Sequence, residues 1–117
     1  MRYLVSIVFC IFVFSACQDA ADDTSVECPP DSFLTWENFG DPFFRNWCTS
    51  CHSSDLATGF RQDAPREINF DSHTEAMLYN DRTLIRAGEA LGGMPPLGGP
   101  TEAERAMLVE WIQCGAP

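Results

Sequence analysis

Lysine is absent from the 117-residue chain, and histidine occurs only twice. All seven basic residues are arginines that form no run, and the formal net charge is -10. A chain with this charge lacks the basic surface that nucleic acid requires, so we expect no nucleic-acid partner. The length allows one small domain with short extensions and excludes a multidomain enzyme.

Strand patterns and common catalytic motifs are also missing. No segment alternates apolar and polar residues over any length, and no internal repeat occurs. Neither a coherent Ser-His-Asp arrangement nor a glycine-rich phosphate loop is present. Apolar residues instead recur at helical spacing in the second half of the chain. The sequence therefore predicts an all-α fold.

The first 16 residues have the pattern of an export signal. Arg2 precedes an apolar stretch over residues 3–14, and the small residues Ser15 and Ala16 follow. About a dozen apolar residues are too few for the ~20 that a membrane-spanning helix needs. We therefore predict that residues 1–16 are a signal peptide that is removed. Export also accounts for six cysteines in so short a chain, since disulfides are rare in the cytosol.

Cys17 follows directly, and the sequence FSAC at residues 14–17 resembles a bacterial lipobox. The resemblance implies a lipoprotein whose mature N-terminus is the lipid-modified Cys17, held on the periplasmic side of a membrane. Gln18 slightly favours the outer membrane. Ordinary cleavage that leaves Cys17 as a spare thiol is the alternative. Residues 17–30 are acidic and contain too little apolar surface to fold, which predicts a tether before a domain at residues 31–117.

Cys48, Cys51 and His52 form the motif C-x-x-C-H. Two thiols at this spacing reach the two vinyl groups of one porphyrin, and the adjacent imidazole becomes an axial ligand of the iron. A thioredoxin-type pair would follow a strand, and no strand pattern precedes Cys48. A metal-ion site would need further ligands, whereas the other cysteines lie far away in the sequence. We therefore predict one covalently attached haem c.

Beyond this motif, the segment from Thr35 to Ile112 resembles the monohaem cytochrome c family. Gly40, Phe44 and Cys48 lie four residues apart, as in the family's N-terminal helix, where a glycine and an aromatic residue face the last helix. The resemblance implies a small all-α domain wrapped around one haem. It also implies that the C-x-x-C-H motif ends the first helix.

Capping signals predict where the first and last helices begin. Asp41 followed by Pro42 is typical of a helix start. Thr101 and Glu104 form a capping box, and Gly115 marks the end of the last helix. The apolar residues of this helix share one face: Ala103, Met107, Leu108, Trp111 and Ile112. The resemblance implies that Trp111 crosses Gly40.

Between the two lies a segment, residues 72–91, whose pattern predicts one or two helices interrupted near Asn80 and Asp81. Ser72 and Glu75 resemble a capping box at its start. Met77 falls within the helical pattern, so we expect it in the core.

Met94 follows His52 by 42 residues in a loop stiffened by two prolines, and the resemblance implies that it is the second axial ligand. His73 is the rival ligand, but its place beside a helix start favours a solvated surface histidine. Pro65 is close to where the family has a proline whose carbonyl accepts the proximal histidine's N–H. The resemblance further implies a Cys28–Cys114 disulfide, because the family's terminal helices touch. Two free buried thiols are the alternative.

These features predict an electron carrier and not an enzyme. With His52 and Met94 on the iron, no position is open to a small-molecule substrate. The acidic chain has no lysines for docking, so we expect redox protein partners that offer a basic patch. One alternative is a five-coordinate haem sensor or peroxidase-like domain in which Met94 does not bind iron. Another is a haem accessory subunit of a larger membrane complex.

Overall fold

The computed structural model describes residues 28–88 and 92–117. This part of the chain is helical and contains no β-strand. The prediction of an all-α fold is therefore confirmed for the described residues. The predicted signal peptide, the predicted lipid site Cys17 and residues 17–27 of the predicted tether lie outside them. Within residues 28–88 and 92–117, no helix has both the length and the apolar run needed to cross a bilayer.

The first helical segment begins earlier than Asp41. Thr35 caps a π-helical turn, Trp36–Gly40, which continues directly into helix α1, Asp41–Trp47. The Thr35 side chain accepts a hydrogen bond from the Asn38 N–H, and the Asn38 side chain accepts one from the Thr35 N–H. The prediction that Asp41 is the cap is wrong, because the capping pair that satisfies the first donors begins six residues upstream, at Thr35. Asp41 instead forms an exposed ion pair with Arg45 at 2.7 Å.

Short helices follow a long irregular loop that contains one 3-10 turn, Thr58–Phe60. Helix α2, His73–Leu78, is capped by Ser72, whose side chain accepts from the Glu75 N–H. Helix α3, Asn80–Thr83, continues into a second π-helical turn, Leu84–Gly88. The predicted break near residue 80 is thus present and falls at Tyr79. Met77 is 40% exposed, so its predicted place in the core is wrong.

The last helix, α4, spans Glu102–Gln113 and has the predicted capping box of Thr101 and Glu104. Leu108 and Trp111 are fully buried, and Met107 and Ile112 pack against the core. Ala103 is exposed, because it lies in the first turn, beyond the part of the helix that faces the core. The helix packs against the Leu84–Gly88 turn.

The core of the domain is an aromatic cluster where the last helix meets the first helical segment. We call Trp36, Gly40, Phe44 and Trp111 the helix crossing. The rings of Trp36, Phe44 and Trp111 lie 5.9 to 6.2 Å apart. A Cβ on Gly40 would stand 2.7 Å from the Trp36 ring and 3.0 Å from the Trp111 ring, so only glycine fits there. The contact between Trp111 and Gly40 is therefore as predicted, and Trp36 adds a second wall.

Both ends of the described chain are fastened beside this crossing. Cys28 and Cys114 form a disulfide with their Cα atoms 4.8 Å apart, the pairing that the resemblance implied. The carbonyl of Pro117 accepts hydrogen bonds from the Trp36 N–H at 2.6 Å and from the Trp111 indole N–H at 3.2 Å. These links hold the segments on either side of the crossing together. Other residues of α1, Phe43 and Trp47, face a cleft.

Candidate haem site

A large apolar cleft lies beside the end of α1. Its cavity volume is about 180 Å³, and the cleft is partly open to solvent. Protein interiors hold few voids larger than a water molecule, so a cleft of this size in a small domain is not a packing defect. It is lined by four groups of residues. They are Cys48, Ser50, Cys51 and His52 of the motif with Phe43 and Trp47, the loop residues Gln62, Asp63, Ala64 and Pro65, the loop and helix residues Ile68, Phe70, Tyr79, Arg82, Thr83, Arg86 and Ala87, and the loop Met94, Pro95 and Pro96.

The C-x-x-C-H motif forms a tight turn at the end of α1. The Cys48 N–H still donates to the Phe44 carbonyl at 2.8 Å, as the helix ends. The N–H groups of Cys51 and His52 then both donate to the Cys48 carbonyl, at 3.1 and 2.9 Å. This turn places both thiols and the imidazole on the cleft, and the two cysteines are not bonded to each other.

His52 is held in a defined tautomer. Its Nδ1 lies 3.0 Å from the Ile68 carbonyl oxygen, and since a carbonyl can only accept, Nδ1 must carry the proton. In the neutral imidazole this leaves a lone pair on Nε2, the atom that can bind a metal. The prediction that the Pro65 carbonyl accepts the His52 N–H is wrong, because the acceptor is Ile68, three residues later. The Pro65 carbonyl accepts from the Ile68 N–H and from Arg61 instead.

Met94 lies on the same cleft as His52. Its side chain is 37% exposed, and its N–H donates to the Arg86 carbonyl at 3.0 Å. Gly92 lets the loop approach so closely, because a Cβ there would collide with the carbonyls of Ile85 and Arg86. The structure thus brings Met94 and the C-x-x-C-H motif to the same cleft, although they are distant in the sequence.

His73 does not line the cleft, and it is not the solvated surface residue that its neighbours suggested. It is half-buried, and its ring stacks on Trp36 with centroids 5.1 Å apart. Its Nε2 donates to the Ala116 carbonyl at 2.7 Å. Both contacts are with residues more than thirty positions away in the sequence, which a local helix-start pattern does not reveal. The structure leaves Met94 without a histidine rival in the cleft.

The chemistry of Cys48 differs from that of a reactive dithiol. Burial in the cleft, together with the neighbouring Cys51, raises the pKa of the Cys48 thiol to about 12. Catalytic C-x-x-C pairs require the reverse, a thiol whose pKa is lowered so that the thiolate attacks. Cys48 therefore lacks the lowered pKa of a reactive thiol and lies with Cys51 on an apolar cavity.

Three residues of the segment 82–86 line the cleft and were not singled out by the sequence. Arg82 and Arg86 are exposed and one helical turn apart, so they place two positive charges on the same side of the cleft. Thr83 lies between them, is 5% exposed, and has no hydrogen-bond partner for its hydroxyl. The i, i+4 spacing of the two arginines was a usable signal. An unpartnered buried hydroxyl beside two cations suits a ligand that carries anionic oxygens.

Among the described residues, no three His, Cys, Asp or Glu side chains converge in a way that would hold a bare metal ion. Iron held by a porphyrin needs the protein only for its axial positions, so the donors on this cleft suit haem better than a free ion. Comparison of the chain with protein-family profiles, with curated proteins and with solved structures gives no match.

Proposed function

We propose that the protein is a c-type cytochrome of the monohaem cytochrome c family, which carries single electrons through one covalently attached haem. One observation carries the proposal: Cys48, Cys51, His52 and Met94 line a single apolar cleft, although 42 residues separate His52 from Met94. A chance C-x-x-C-H motif would have no reason to face a cavity, and still less to face a distant methionine.

Each of the four residues has a distinct part in this proposal. The thiols of Cys48 and Cys51 would each add their sulfur and their hydrogen across one vinyl double bond, so no oxidant would be needed and nothing would leave. The Nε2 of His52 and the thioether of Met94 would be the protein's two ligands to the iron. Bound haem supplies a one-electron ferric–ferrous couple. With both donors on the iron, no position would be open to a substrate, so we expect an electron carrier and not an enzyme.

The surroundings of the cleft support this assignment. The hydrogen bond from Nδ1 of His52 to Ile68 fixes the ring orientation and makes Nε2 a stronger ligand. The apolar side chains Phe43, Ile68 and Phe70 give the cavity apolar walls, as a porphyrin ring requires. Arg82 and Arg86 are suited to the two carboxylates of the porphyrin, and the Thr83 hydroxyl to one more hydrogen bond.

The location and partners follow from the predicted N-terminal features. A lipid on Cys17 and a tether to residue 30 would hold the domain on the periplasmic side of a membrane, with the outer membrane favoured by Gln18. Protein redox partners would approach the open side of the cleft. For a chain with a net charge of -10, attraction over distance requires a partner with a basic patch.

The first experiment is to co-express the chain with a cytochrome c maturation system and to stain a denaturing gel for haem. We expect haem that survives denaturation, together with low-spin oxidised and reduced spectra. The Cys48→Ser, Cys51→Ser double variant should yield apoprotein. An unmodified wild-type chain would contradict the proposal.

Met94 is tested against Met77, which is similarly exposed but lies outside the cleft. Met94→Ala should keep the covalent haem but convert it from low-spin to high-spin, because the sixth ligand is lost. Met77→Ala should leave the spectra unchanged. If Met94→Ala stays low-spin, the ligand assignment is wrong.

A wild-type protein that is already high-spin would favour the five-coordinate sensor or peroxidase-like alternative. Purification at fixed stoichiometry with one membrane complex would favour an accessory subunit.

A further inference from the structure

Arg61 is the most unusual residue outside the predicted ligand set. It lies in the loop after the C-x-x-C-H motif, yet it is only 3% exposed. Its guanidinium donates hydrogen bonds to acceptors from five residues of one loop: Ser53, Ala64, Pro65, Ile68 and Asn69. Arginine is the side chain that can satisfy so many acceptors at once, because its fork carries five N–H donors.

These acceptors leave the charge of Arg61 without a carboxylate partner. Four are backbone carbonyls, and the fifth is the side-chain oxygen of Asn69 at 2.9 Å from Nη2. No carboxylate in the described part of the chain lies within ion-pair distance of the guanidinium. Asp71 is close enough for Arg61 to help to lower its pKa, but the two do not touch. A buried cation whose direct partners are all neutral is costly and calls for an explanation.

One of the five acceptors is shared with His52. The Ile68 carbonyl oxygen accepts from Nδ1 of His52 at 3.0 Å and from Nη2 of Arg61 at 3.2 Å. A carbonyl has two lone pairs and can accept both donors. The charged donor withdraws electron density from the oxygen, so the imidazole donates to a weaker acceptor than it would without Arg61. The bond from Arg61 also fixes where this carbonyl lies.

We propose that Arg61 is a positioning residue for the proximal ligand and raises the reduction potential of the haem. This inference rests on the proposed function. The weakened hydrogen bond makes His52 a less basic ligand, and the buried charge disfavours the ferric state, which carries one positive charge more than the ferrous state. Both effects favour the reduced protein.

Three variants that each lower the net charge by one separate this role from a general charge effect. Arg61→Gln removes the buried cation and its hold on Ile68. Asn69→Asp keeps Arg61 in place but sets a carboxylate against it, at the loss of the N–H that Asn69 donates to the Arg66 carbonyl. Arg66→Gln removes an exposed arginine from the same loop and is the matched control. The holoproteins are titrated by spectroelectrochemistry.

We expect the equilibrium constant for reduction to fall about tenfold in Arg61→Gln, which is about 59 mV for a one-electron couple. Asn69→Asp should shift the equilibrium in the same direction. Arg66→Gln should change it by less than about twofold, because solvent screens an exposed charge. In the reduced protein, the Nδ1 proton resonance of His52 should move downfield in Arg61→Gln, since the Ile68 carbonyl becomes a better acceptor. A merely structural role for Arg61 would not move this resonance and the potential together.

The inference is overturned if Arg61→Gln and Asn69→Asp shift the potential no further than Arg66→Gln does. Should Arg61→Gln fail to fold, Asn69→Asp decides the matter alone, because it retains the guanidinium and its carbonyl acceptors. Haem staining of every variant keeps the two proposals apart. Covalent haem with an unchanged potential defeats only the role of Arg61, whereas a wild-type chain without haem defeats the proposed function and this inference with it.

Discussion

The helix crossing and the cleft are neighbours built in opposite ways. At the crossing, Trp111 and Phe44 are completely buried, and even a methyl group on Gly40 has no room. In the cleft, at the end of α1, mostly apolar side chains line a cavity of about 180 Å³. Phe44 belongs to the first region, and its stacking partner Phe70, 4.9 Å away, lines the second.

The difference separates the residues that build the fold from the residues that leave a cavity for the proposed haem. The crossing satisfies its own groups, because rings fill the volume and the Pro117 carbonyl accepts the indole N–H of Trp111. The cleft leaves its groups unsatisfied: two free thiols, an imidazole lone pair and the Thr83 hydroxyl. Unsatisfied groups around a cavity are the mark of a binding site, since folding alone would fill or pair them.

Removing the disulfide should produce the largest loss at the crossing. The bond between Cys28 and Cys114 closes a loop of 86 residues. The chain-entropy relation gives about 4 to 5 kcal/mol of stabilisation for a loop of this length. The double variant Cys28→Ala, Cys114→Ala should therefore unfold at a much lower urea concentration, while the haem spectrum of the folded protein stays the same. An unchanged urea midpoint would show that the disulfide adds nothing to the crossing.

A methyl group at Gly40 should have a smaller but clear effect. Helix propensity alone would make Gly40→Ala stabilising by about 1 kcal/mol. The new Cβ would stand 2.7 Å from the Trp36 ring, which is itself packed between other rings. Overpacking of this kind costs about 1 to 3 kcal/mol, so we expect a net loss of about 1 kcal/mol in urea unfolding.

Gly59→Ala is the matched control for this comparison. Gly59 lies in the exposed 3-10 turn, and a Cβ there meets no atom within 4 Å. Its substitution should change the free energy of unfolding by less than about 0.5 kcal/mol. If Gly40→Ala were as stable as Gly59→Ala, the crossing would be looser than the contact distances indicate.

The sequence predicted what depends on local signals and on the spacing of the motif. The capping box of Thr101 and Glu104 and the end of α1 at Cys48 were found, because a few neighbouring residues determine each. The start of the first helical segment was not predicted, because Asp41 and Pro42 also have the residue pattern of a helix N-terminus. The true cap depends on Thr35 and Asn38 satisfying each other upstream.

Long-range contacts account for the other errors. His73 was predicted on the surface because nothing near it in sequence reveals the Trp36 ring or the Ala116 carbonyl. The sequence predicted Pro65 as the acceptor for His52, whereas Ile68 provides it. Every residue has a backbone carbonyl, so residue type does not indicate which one accepts. The burial of Arg61 was missed for the same reason, since four of its acceptors are backbone carbonyls.

The smallest expected effect on the free energy of unfolding is at Asp71, close to the loop that carries these carbonyls. Burial alone would raise the pKa of Asp71, but hydrogen bonds from Ser53 and Ser54 and the charge of Arg61 hold it below its ordinary value of 3.8. A carboxyl whose pKa is lowered on folding stabilises the protein above the unfolded pKa, and this contribution is lost as the pH falls through the folded pKa.

Asp71→Asn should cost about 1 kcal/mol at neutral pH, since it replaces a charged acceptor by a neutral one. The cost should fade in urea titrations carried out below about pH 4, where the wild-type carboxyl takes up its proton as well. Asp55→Asn, an exposed change in the same loop, should show neither effect. An Asp71→Asn deficit that persists undiminished in acid would mean that the shape of this side chain, and not its charge, holds the loop against the cleft.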